Sequence, residues 1–437
     1  MNLTPSLQLS DQLRRRLKTI TFNSLESYIP SELIQQYYQR EGIQTRSRVF
    51  TPESTICCMV GAAFLDDRSQ QNILFKYKQA FEQESQRMVS EQKQALKNQN
   101  QKRQGPGRPK SRLGLPQSMF KPLSTSTAAL SKAIGRIPAK LMKEIFEHSA
   151  SAAPATEQTN WHGRRVFIGD GTYFQLQDTP ELAGAYSKEH EQSYPRGCLF
   201  TLGEQATGLL TNFAIGNSEL QTASKTLDSL PKGSLFMGDD LYSCYAFWAK
   251  LHQGGVDFIT ASKRKRAYEL IKQLGPGDEL VRIKRPDSVG EWAGDKKKLP
   301  ASLVIRRISY AHPSKEGQTC VLMTTVTEPE ATPTDVVAKY GSRWDIELRI
   351  REIKVCMGVN IARSKTTDGV YKEMAAALTA YNVIRALMAE SVKSDFSPYE
   401  SILQEYYTSR EHPLVDKLGR TYSHWSPGRP AKAKRAD

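Results

Sequence analysis

The sequence predicts a mixed α/β fold that is preceded by a helical N-terminal region. Up to about residue 149, several segments open with Ser or Thr before an early acid, as helix starts do. After Val166 the pattern changes to short β-rich runs, such as "RVFIGD", "SLFMGDD" and "VDFITAS", that alternate with helical segments. Strands followed by helices indicate a sheet that is packed on both faces.

The 437 residues are too many for one small core, so we expect two or three structural units. Residues 90–114 are polar and basic with few large apolar side chains, which predicts an exposed linker. Residues 263–330 have the pattern of basic antiparallel β-structure and are interpreted as an insertion into the sheet domain. The expected segments are a helical region with a basic linker (1–115), a helical connector (116–160), the first part of the core (161–262), the β-insertion (263–330), the last core helices (331–392) and a C-terminal region with a basic tail (393–437).

The charge balance points to a polyanionic partner. The net charge is +15 and the pI is near 9.4, and nucleic acid is the commonest partner of such a protein. No run reaches the eighteen or so apolar residues of a membrane span, and the N-terminus lacks the order of a signal peptide. The six cysteines are scattered without CxxC pairs, which favours reduced thiols in a cytoplasmic protein and argues against zinc fingers.

Two aspartates follow predicted strands directly. Asp170 comes after "VFIG" and Asp239 comes after "LFMG". Acids at the ends of strands in an α/β sheet project into the crevice where ligands bind. We therefore expect both carboxylates to line one cleft.

A late helix, predicted over residues 335–357, carries a third acid within a polar stripe. At about 100° per residue, the stripe spans roughly 60° and contains Tyr340, Arg343, Glu347 and Lys354. Apolar side chains are expected on both sides of it: Val337, Trp344, Leu348 and Val355 on one, Ile346, Ile350, Ile353 and Met357 on the other. The face expected to be solvated holds Asp345, Arg349 and Glu352. A polar stripe between two apolar ones predicts that Glu347 points into the protein.

Three converging carboxylates would repel one another and shift their pKa values, and a hard divalent cation such as Mg²⁺ relieves that repulsion. Two such ions about 3.5–4 Å apart activate water and stabilise the leaving oxygen in phosphodiester cleavage. Arg343 and Lys354 would then hold phosphate oxygens. Taken singly, each aspartate is more often a turn residue, and Arg343 with Glu347 is an ordinary i,i+4 pair. Taken together in a protein of this charge, they favour a catalytic site.

These residues resemble the DDE (Asp-Asp-Glu) transposases of bacterial insertion sequences, in the insertion-sequence-four family. Tyr340, Arg343, Glu347 and Lys354 match the subgroup signature Tyr-x2-Arg-x3-Glu-x6-Lys at every spacing. "IGDGTYFQLQDTPEL" and "GDDLYSCYAFWAKL" resemble the two Asp segments of the family, and "RVFTPESTICCMVGAAFLDDRS" resembles its N-terminal region. The similarity spans most of residues 47 to 390.

The resemblance implies a ribonuclease-H-like catalytic core with a β-strand insertion before the Glu. It implies two Mg²⁺ ions, with Mn²⁺ able to substitute, held by Asp170, Asp239 and Glu347. It implies that Tyr340, Arg343 and Lys354 contact DNA near the scissile phosphate. The partners would be double-stranded DNA, as transposon ends and target, and a second copy of the chain in a synaptic homodimer. The N-terminal region would bind the ends, and the protein would be cytoplasmic and associated with the bacterial nucleoid.

Two points stay open at this level. Asp240 adjoins Asp239, so the second acid could shift by one position, although Tyr242 and Tyr245 keep the family's spacing only with Asp239. Some relatives excise through a DNA hairpin and stack a flipped base on a Trp, for which this chain has Cys320, with Trp292 elsewhere in the insertion.

Further basic residues are candidate DNA contacts. Lys263, Arg264 and Arg266 lie in one basic run at the start of the insertion, and Lys296, Lys297 and Lys298 form another. Arg108 and Arg429 lie in two PGRP segments that resemble minor-groove hooks. A solvated surface is the alternative for the two runs, and for PGRP it is equally well supported. The seven histidines show no metal-ligand spacing.

Two other functions are compatible with the sequence. One is a transposase-derived DNA-binding protein that has lost catalysis, and the other is a Mg²⁺-dependent nuclease that cuts without joining. The presence of Asp170, Asp239 and Glu347 favours an active transposase over the first of these.

Overall fold

The computed structural model describes residue 25 and residues 28–44, 50–65, 67–101, 126–151, 160–312, 317–355, 357–395, 414–415 and 421–422. They belong to two compact units. One is Leu17–Ala386, and the other comprises Met1–Arg16 and Leu387–Asp437. In the second unit the structure describes the end of one helix and a pair of short strands. None of the helices in the described ranges combines the length and hydropathy that a membrane crossing needs.

The described N-terminal residues of the larger unit are mostly helical. Its helices are α1 (Ser31–Arg40), α2 (Pro52–Ala62), α3 (Gln70–Gln101), α4 (Thr127–Arg136) and α5 (Ala139–Ala150). Thr51 caps α2 by accepting a hydrogen bond from the Ser54 N–H, and Ser126 caps α4 in the same way. Phe50, Cys58, Ile73, Leu74 and Leu130 pack together between α2, α3 and α4.

The first part of the expected linker is helical instead. Residues 90–101 are the last turns of the 32-residue helix α3, and residues 102–114 lie outside the described part of the chain. The prediction treated low hydrophobicity as a sign of irregular structure. Gln, Lys, Ala and Leu nevertheless have good helix propensity, and a helix nucleated at buried Ile73 and Leu74 extends through such residues readily.

A nine-stranded sheet forms the centre of the larger unit, in the order β3-β2-β1-β4-β5-β9-β8-β7-β6. Strands β1, β2 and β3 are antiparallel, whereas β4 runs parallel to β1 and β5 parallel to β4. From β5 outward through β9, β8, β7 and β6 the strands are antiparallel. The strands are β1 (Val166–Gln175), β2 (Arg196–Glu204), β3 (Leu210–Gly216), β4 (Leu235–Gly238), β5 (Asp257–Ala261), β6 (Glu269–Gly275), β7 (Asp278–Lys284), β8 (Ser302–Ala311) and β9 (Thr319–Thr324).

Side chains of successive strand residues enter two different cores, because a strand presents alternate residues to opposite faces. Phe236 packs in a cluster with Phe258 and Trp248, whereas its neighbour Met237 packs in a cluster with Ile259 and Ile346. The predicted mixed α/β sheet covered on both faces is confirmed. The helices after β1 are α6 (Pro180–Ala185), α7 (Glu219–Ser224), α8 (Tyr245–Gln253), α9 (Pro333–Gly341), α10 (Trp344–Val355) and α11 (Thr367–Asp395), of which residues 367–386 belong to the larger unit.

Strands β6 to β9 extend the sheet beyond β5, and a buried ion pair stabilises their inner end. Arg306 on β8 donates to both carboxylate oxygens of Asp278 on β7, at 2.8 Å each. The same guanidinium donates to the Ala331 carbonyl at 2.7 Å, shortly before α9 begins. Both charged residues are only 4% exposed. The pair therefore joins the added strands to the segment that leads into α9.

The late helix is broken in two. α9 ends at Gly341 and α10 starts at Trp344, with Ser342 and Arg343 in a tight turn between them. The predicted apolar face of Ile346, Ile350, Ile353 and Met357 is buried. The other predicted apolar stripe is wrong in part, because Trp344 and Leu348 are exposed to 39% and 36%.

The face predicted to be solvated is also wrong at Arg349. This side chain is 5% exposed and donates to the carbonyl oxygens of Glu204 and Gln205, at 3.0 and 3.1 Å. These carbonyls stand where β2 ends, and a buried carbonyl needs a donor. Gly203 makes room for the guanidinium, since a Cβ there would lie 2.8 Å from Arg349 Nη1. The prediction placed Arg349 on the solvated face because the residue is charged. Helical periodicity contains no information about carbonyl groups that are distant in the sequence.

Candidate active site

Asp170 lies inside strand β1 rather than at its end. β1 continues to Gln175 because β2 keeps pairing with it, and Asp170 faces Thr201 across that antiparallel ladder. The parallel pairing with β4, however, stops at Ile168 and Met237. The prediction that a strand ends before Asp170 is therefore wrong for β1, although Asp170 does lie just beyond the point where β1 and β4 separate.

Asp239 follows β4 directly, and the two neighbouring acids have different partners. Asp239 Oδ1 accepts a hydrogen bond from the Leu241 N–H at 2.8 Å and caps the short 3₁₀ turn Asp240–Tyr242. Its charge acts on the Asp170 carboxyl. The Asp240 carboxylate instead accepts from the backbone N–H of Lys263 at 2.6 Å, where the chain leaves β5. Asp239 thus shares a site with Asp170, and Asp240 fixes the start of the segment that carries β6 to β9.

A third acid at this place, Glu219, was not predicted. It is the first residue of α7, and its Oε1 accepts from the Gly171 N–H at 3.1 Å and from the Tyr242 hydroxyl at 2.6 Å. The signal was present in the sequence, since Glu219 follows the strand run "LTNFAIG" after only two residues. Glu219 therefore follows a predicted strand, which is the same criterion that selected Asp170 and Asp239.

Burial and neighbouring charges shift the pKa values of Asp170 and Glu219. Burial raises the pKa of Asp170 to about 8, and the nearby charges of Glu219 and Asp239 contribute to the rise. Arg343 opposes this shift through its positive charge. Burial also raises the pKa of Glu219, while the hydrogen bond from Tyr242 acts against that rise. Without a compensating cation, the site favours a protonated Asp170 at neutral pH.

Replacing Asp170 by Asn is expected to flatten the pH dependence of stability in protein free of divalent cations. The unfolded chain releases the Asp170 proton near pH 3.8, whereas the folded protein holds it up to about pH 8. The stability contributed by that proton is therefore complete below the lower value and is lost as the pH rises towards the upper one. Denaturant unfolding from pH 4 to 8 should show Asp170→Asn gaining about 1–3 kcal/mol relative to wild type. Parallel curves for the two proteins would contradict this.

The signature residues gather around the two aspartates. Arg343 is 6% exposed, and its Nη2 donates to Glu347 Oε1 at 2.8 Å. Its charge acts on Asp170, and its buried Nε has no hydrogen-bond partner among the described residues. Burial raises the pKa of Tyr340, and Asp239 adds to the rise. Burial lowers the pKa of Lys354, nearby Arg196 adds to this, and Asp170 opposes it.

Glu347 reaches the aspartates only through Arg343 in this structure. Its carboxylate is paired with that guanidinium and is 36% exposed. Across the described ranges, no group of three or more His, Cys, Asp or Glu side chains has the arrangement of a formed metal site. The convergence of Asp170, Asp239 and Glu347 on shared ions therefore stays a prediction.

The other predicted DNA contacts differ in exposure. Lys263 and Arg264 are exposed, as are Lys296, Lys297 and Lys298 in a 3₁₀ turn. Arg266 is instead used inside the protein, because its guanidinium stacks 4.9 Å from the Trp248 ring centre and donates to the Ser243 carbonyl. Arg108 and Arg429, with both PGRP segments, lie outside the described residues.

The two candidate positions for stacking a flipped base are both partly buried. Cys320 lies on β9 opposite Tyr310 of β8. Trp292 packs against the large core cluster, with its ring centre 6.4 Å from that of Phe247, and the Lys250 ammonium lies over its ring. The packing alternative for Trp292 is thus the one that its contacts favour.

Comparison with known proteins gives a consistent result. Residues 161–383, more than half of the chain, match the family described as the transposase DDE domain. The transposase InsG for insertion sequence element IS4 of Escherichia coli (strain K12) is 27% identical over 319 residues, which cover 69% of each chain. The protein y4zB of Sinorhizobium fredii (strain NBRC 101917 / NGR234) is 25% identical over 288 residues, or 64% of this chain and 76% of that one.

One solved structure, a piggyBac transposase synaptic complex with hairpin DNA, overlaps 91% of this chain and 87% of its own at 9% identity. Its TM-score of 0.36 is too low to support an argument. The sequence matches, together with the signature around Asp170 and Asp239, are sufficient. The chain belongs to the DDE transposases, in the insertion-sequence-four family, whose members are enzymes that cleave DNA and transfer its strands.

Proposed function

We propose that this transposase binds the two ends of an insertion sequence, cleaves them with Mg²⁺-dependent chemistry and joins them to target DNA by a cut-and-paste route. One observation carries the proposal. Asp170 and Asp239, from adjacent parallel strands, interact with each other and with Tyr340, Arg343 and Lys354 of a distant helical segment. Carboxylates beside phosphate-binding cations are the groups that phosphodiester transfer requires.

The sheet topology supports a ribonuclease-H-like core. In that arrangement three antiparallel strands are followed by two parallel ones, and β3-β2-β1-β4-β5 has this order and these directions. Of the two proposed aspartates, Asp170 is then on the central strand β1, and Asp239 directly follows its neighbour β4. The added strands β6 to β9 occur between β5 and α9, within the proposed insertion 263–330.

The donor set fits a hard divalent cation. Asp170, Asp239 and Glu347 offer only carboxylate oxygens, which Mg²⁺ prefers, and Mn²⁺ accepts the same ligands. Burial raises the pKa of Asp170 to about 8, and the charges of Glu219 and Asp239 add to the rise, so a bound cation would stabilise the ionised carboxylate. When bound, two ions would supply an activated water and stabilise the leaving oxygen. Asp170 and Asp239 would hold them from the sheet, and Glu347 would complete the set from α10.

The Arg343–Glu347 ion pair suggests how DNA completes the site. A phosphate at Arg343 would compete with Glu347 for the planar guanidinium, whose buried Nε is also unsatisfied among the described residues. Burial and Arg196 lower the pKa of Lys354, and the same phosphate would stabilise the charged form of this side chain. Arg343 would thereby exchange one anion for another and release Glu347 towards the aspartates.

DNA contacts beyond the cleavage site would come from several surfaces. The helical N-terminal region would bind the element ends, and exposed Lys263 and Arg264 would track phosphates beside the core. A homodimer would hold both ends in one synaptic complex. Excision through a hairpin is a further proposal. Neither candidate position supports it, because Cys320 is not aromatic and Trp292 is partly buried.

The test is an assay with labelled element ends, Mg²⁺ and a supercoiled target plasmid. The ends are taken from the flanks of the gene, and purified full-length protein is used. Products in which labelled ends are joined to the plasmid support the proposal. Cut ends without joining would indicate a nuclease, and a mobility shift without cutting would indicate a DNA-binding protein without activity.

A further inference from the structure

Glu219 is bound to both polypeptide segments that carry the proposed aspartate ligands. Its Oε1 accepts from the N–H of Gly171, which is the residue after Asp170. The same oxygen accepts from the hydroxyl of Tyr242, three residues after Asp239. Its carboxyl group is also within hydrogen-bonding range of the Asp170 carboxyl. No other described carboxylate has hydrogen bonds that tie it to both segments.

Strand β1 has a glycine at the point where the Glu219 side chain approaches it. A Cβ on Gly171 would lie 2.4 Å from Glu219 Cγ and 2.5 Å from Cδ, distances at which atoms overlap. Only glycine therefore lets Glu219 approach β1 beside Asp170. The close approach places a third carboxylate against the aspartates.

The Tyr242 donor is rigid, which fixes Glu219 in turn. Tyr242 is completely buried, and its ring packs against those of Phe200, Phe236 and Phe247, with centre distances of 5.8, 5.8 and 5.3 Å. The hydroxyl holds Oε1. Since the Gly171 and Tyr242 donors both bond to Oε1, the second carboxylate oxygen, Oε2, accepts neither of these hydrogen bonds.

Glu181 is an acid of this chain with a similar helix position but no acidic neighbour. Glu181 also lies in the first turn of a six-residue helix and also accepts from one backbone N–H and one hydroxyl, both of Thr367. Glu181 is exposed and lies apart from any other acid that perturbs its pKa. Glu219 makes the same number of hydrogen bonds but sits against Asp170, so capping a short helix does not account for its position.

We propose that Glu219 is a further metal ligand, which binds one of the two divalent cations through Oε2 together with Asp170. This inference rests on the proposed metal-dependent function and adds a fourth carboxylate to Asp170, Asp239 and Glu347. A fourth anion suits the site, because two divalent cations bring four positive charges and four carboxylates balance them. Gly171 and Tyr242 then act as positioning residues that aim Glu219 at the cation.

The experiment measures Mn²⁺ binding to the full-length, DNA-free protein by the electron paramagnetic resonance signal of free Mn²⁺. Glu219→Gln keeps an oxygen that can accept from Gly171 and Tyr242 but loses the charge. It is expected to weaken Mn²⁺ binding by about 10-fold or more, whereas the matched control Glu181→Gln should bind as wild type does. Mn²⁺ binding by Glu219→Gln within about twofold of wild type, with Asp170→Asn clearly impaired, would overturn the inference alone. Unchanged binding by Asp170→Asn and Asp239→Asn would instead overturn the proposed metal site.

A second measurement needs no variant. Fe²⁺ bound in place of Mg²⁺, with ascorbate and peroxide, generates radicals that cut the backbone close to the ion. Cuts in the wild-type chain are expected near residues 170, 219 and 239. Cuts near 170 and 239 without one near 219 would exclude Glu219 from the metal, even if the Gln variant failed to fold.

Discussion

Asp239→Asn is expected to lower DNA cleavage by about 10³-fold or more, on the scale at which loss of one charge-stabilising group lowers enzyme turnover. Asn keeps the shape and can still cap the turn at Leu241, so folding should persist. The neighbouring Asp240→Asn is the matched control. Since Asp240 accepts from the Lys263 backbone rather than acting on Asp170, its variant should keep cleavage within about 10-fold of wild type.

Glu347→Gln extends this test to the helical side of the site. Cleavage should fall by a similar factor, because Gln is a poor ligand for a divalent cation. Binding to labelled ends should remain within about twofold, since the amide oxygen of the introduced Gln would still accept from Arg343. Both activities are read from one gel series with and without Mg²⁺. If Glu347→Gln lost both DNA binding and its cooperative thermal transition, Glu347 would be structural. If Asp239→Asn cleaved fully while Asp240→Asn failed to cleave, Asp240 would be the second ligand.

Asp278→Ala is expected to destabilise the protein by about 3–5 kcal/mol, because it leaves the buried Arg306 guanidinium without its anion. The same strand β7 offers a control in the exposed pair of Arg282 with Glu269. Glu269→Ala should change stability by less than about 1 kcal/mol, since water already screens that pair. The measurement is the free energy of unfolding in urea for wild type, Asp278→Ala and Glu269→Ala.

The double variant Asp278→Leu with Arg306→Met separates charge from packing. If burial of an unpaired charge causes the loss, the double variant should be more stable than Asp278→Ala. A double variant that is as unstable as the single one would show that the Arg306 bond to Ala331 carries the effect instead.

Local pattern was sufficient for the buried runs of β1 and β4 and for one face of the late helix. The runs at Val166 and Leu235 are continuously apolar, which is typical of strands buried on both faces, and the structure buries them so. Ile346, Ile350 and Ile353 recur with helical spacing and form a buried stripe in α10.

Long-range contacts set the limit of such reasoning. Arg349 is buried because carbonyls at the end of β2 need donors, and those carbonyls are 144 and 145 residues away in the chain. Glu219 was missed because its partners lie 48 and 23 residues away. The helix is interrupted at Ser342 and Arg343, so a single periodicity through residues 335–357 could not place Trp344. The signature identified Arg343 and Glu347, but no pattern showed that they form an ion pair with each other.

The place of β9 restricts how this chain can be shortened. Its residues 322–324 pair with β5, so a deletion of the segment that contains β6 to β9 would leave residues 259–261 of β5 without a neighbouring strand. Unpaired backbone N–H and C=O groups at such a sheet edge can pair with strands of other molecules and promote aggregation. A shortened version of the enzyme must therefore keep β9 or include another strand that pairs with β5.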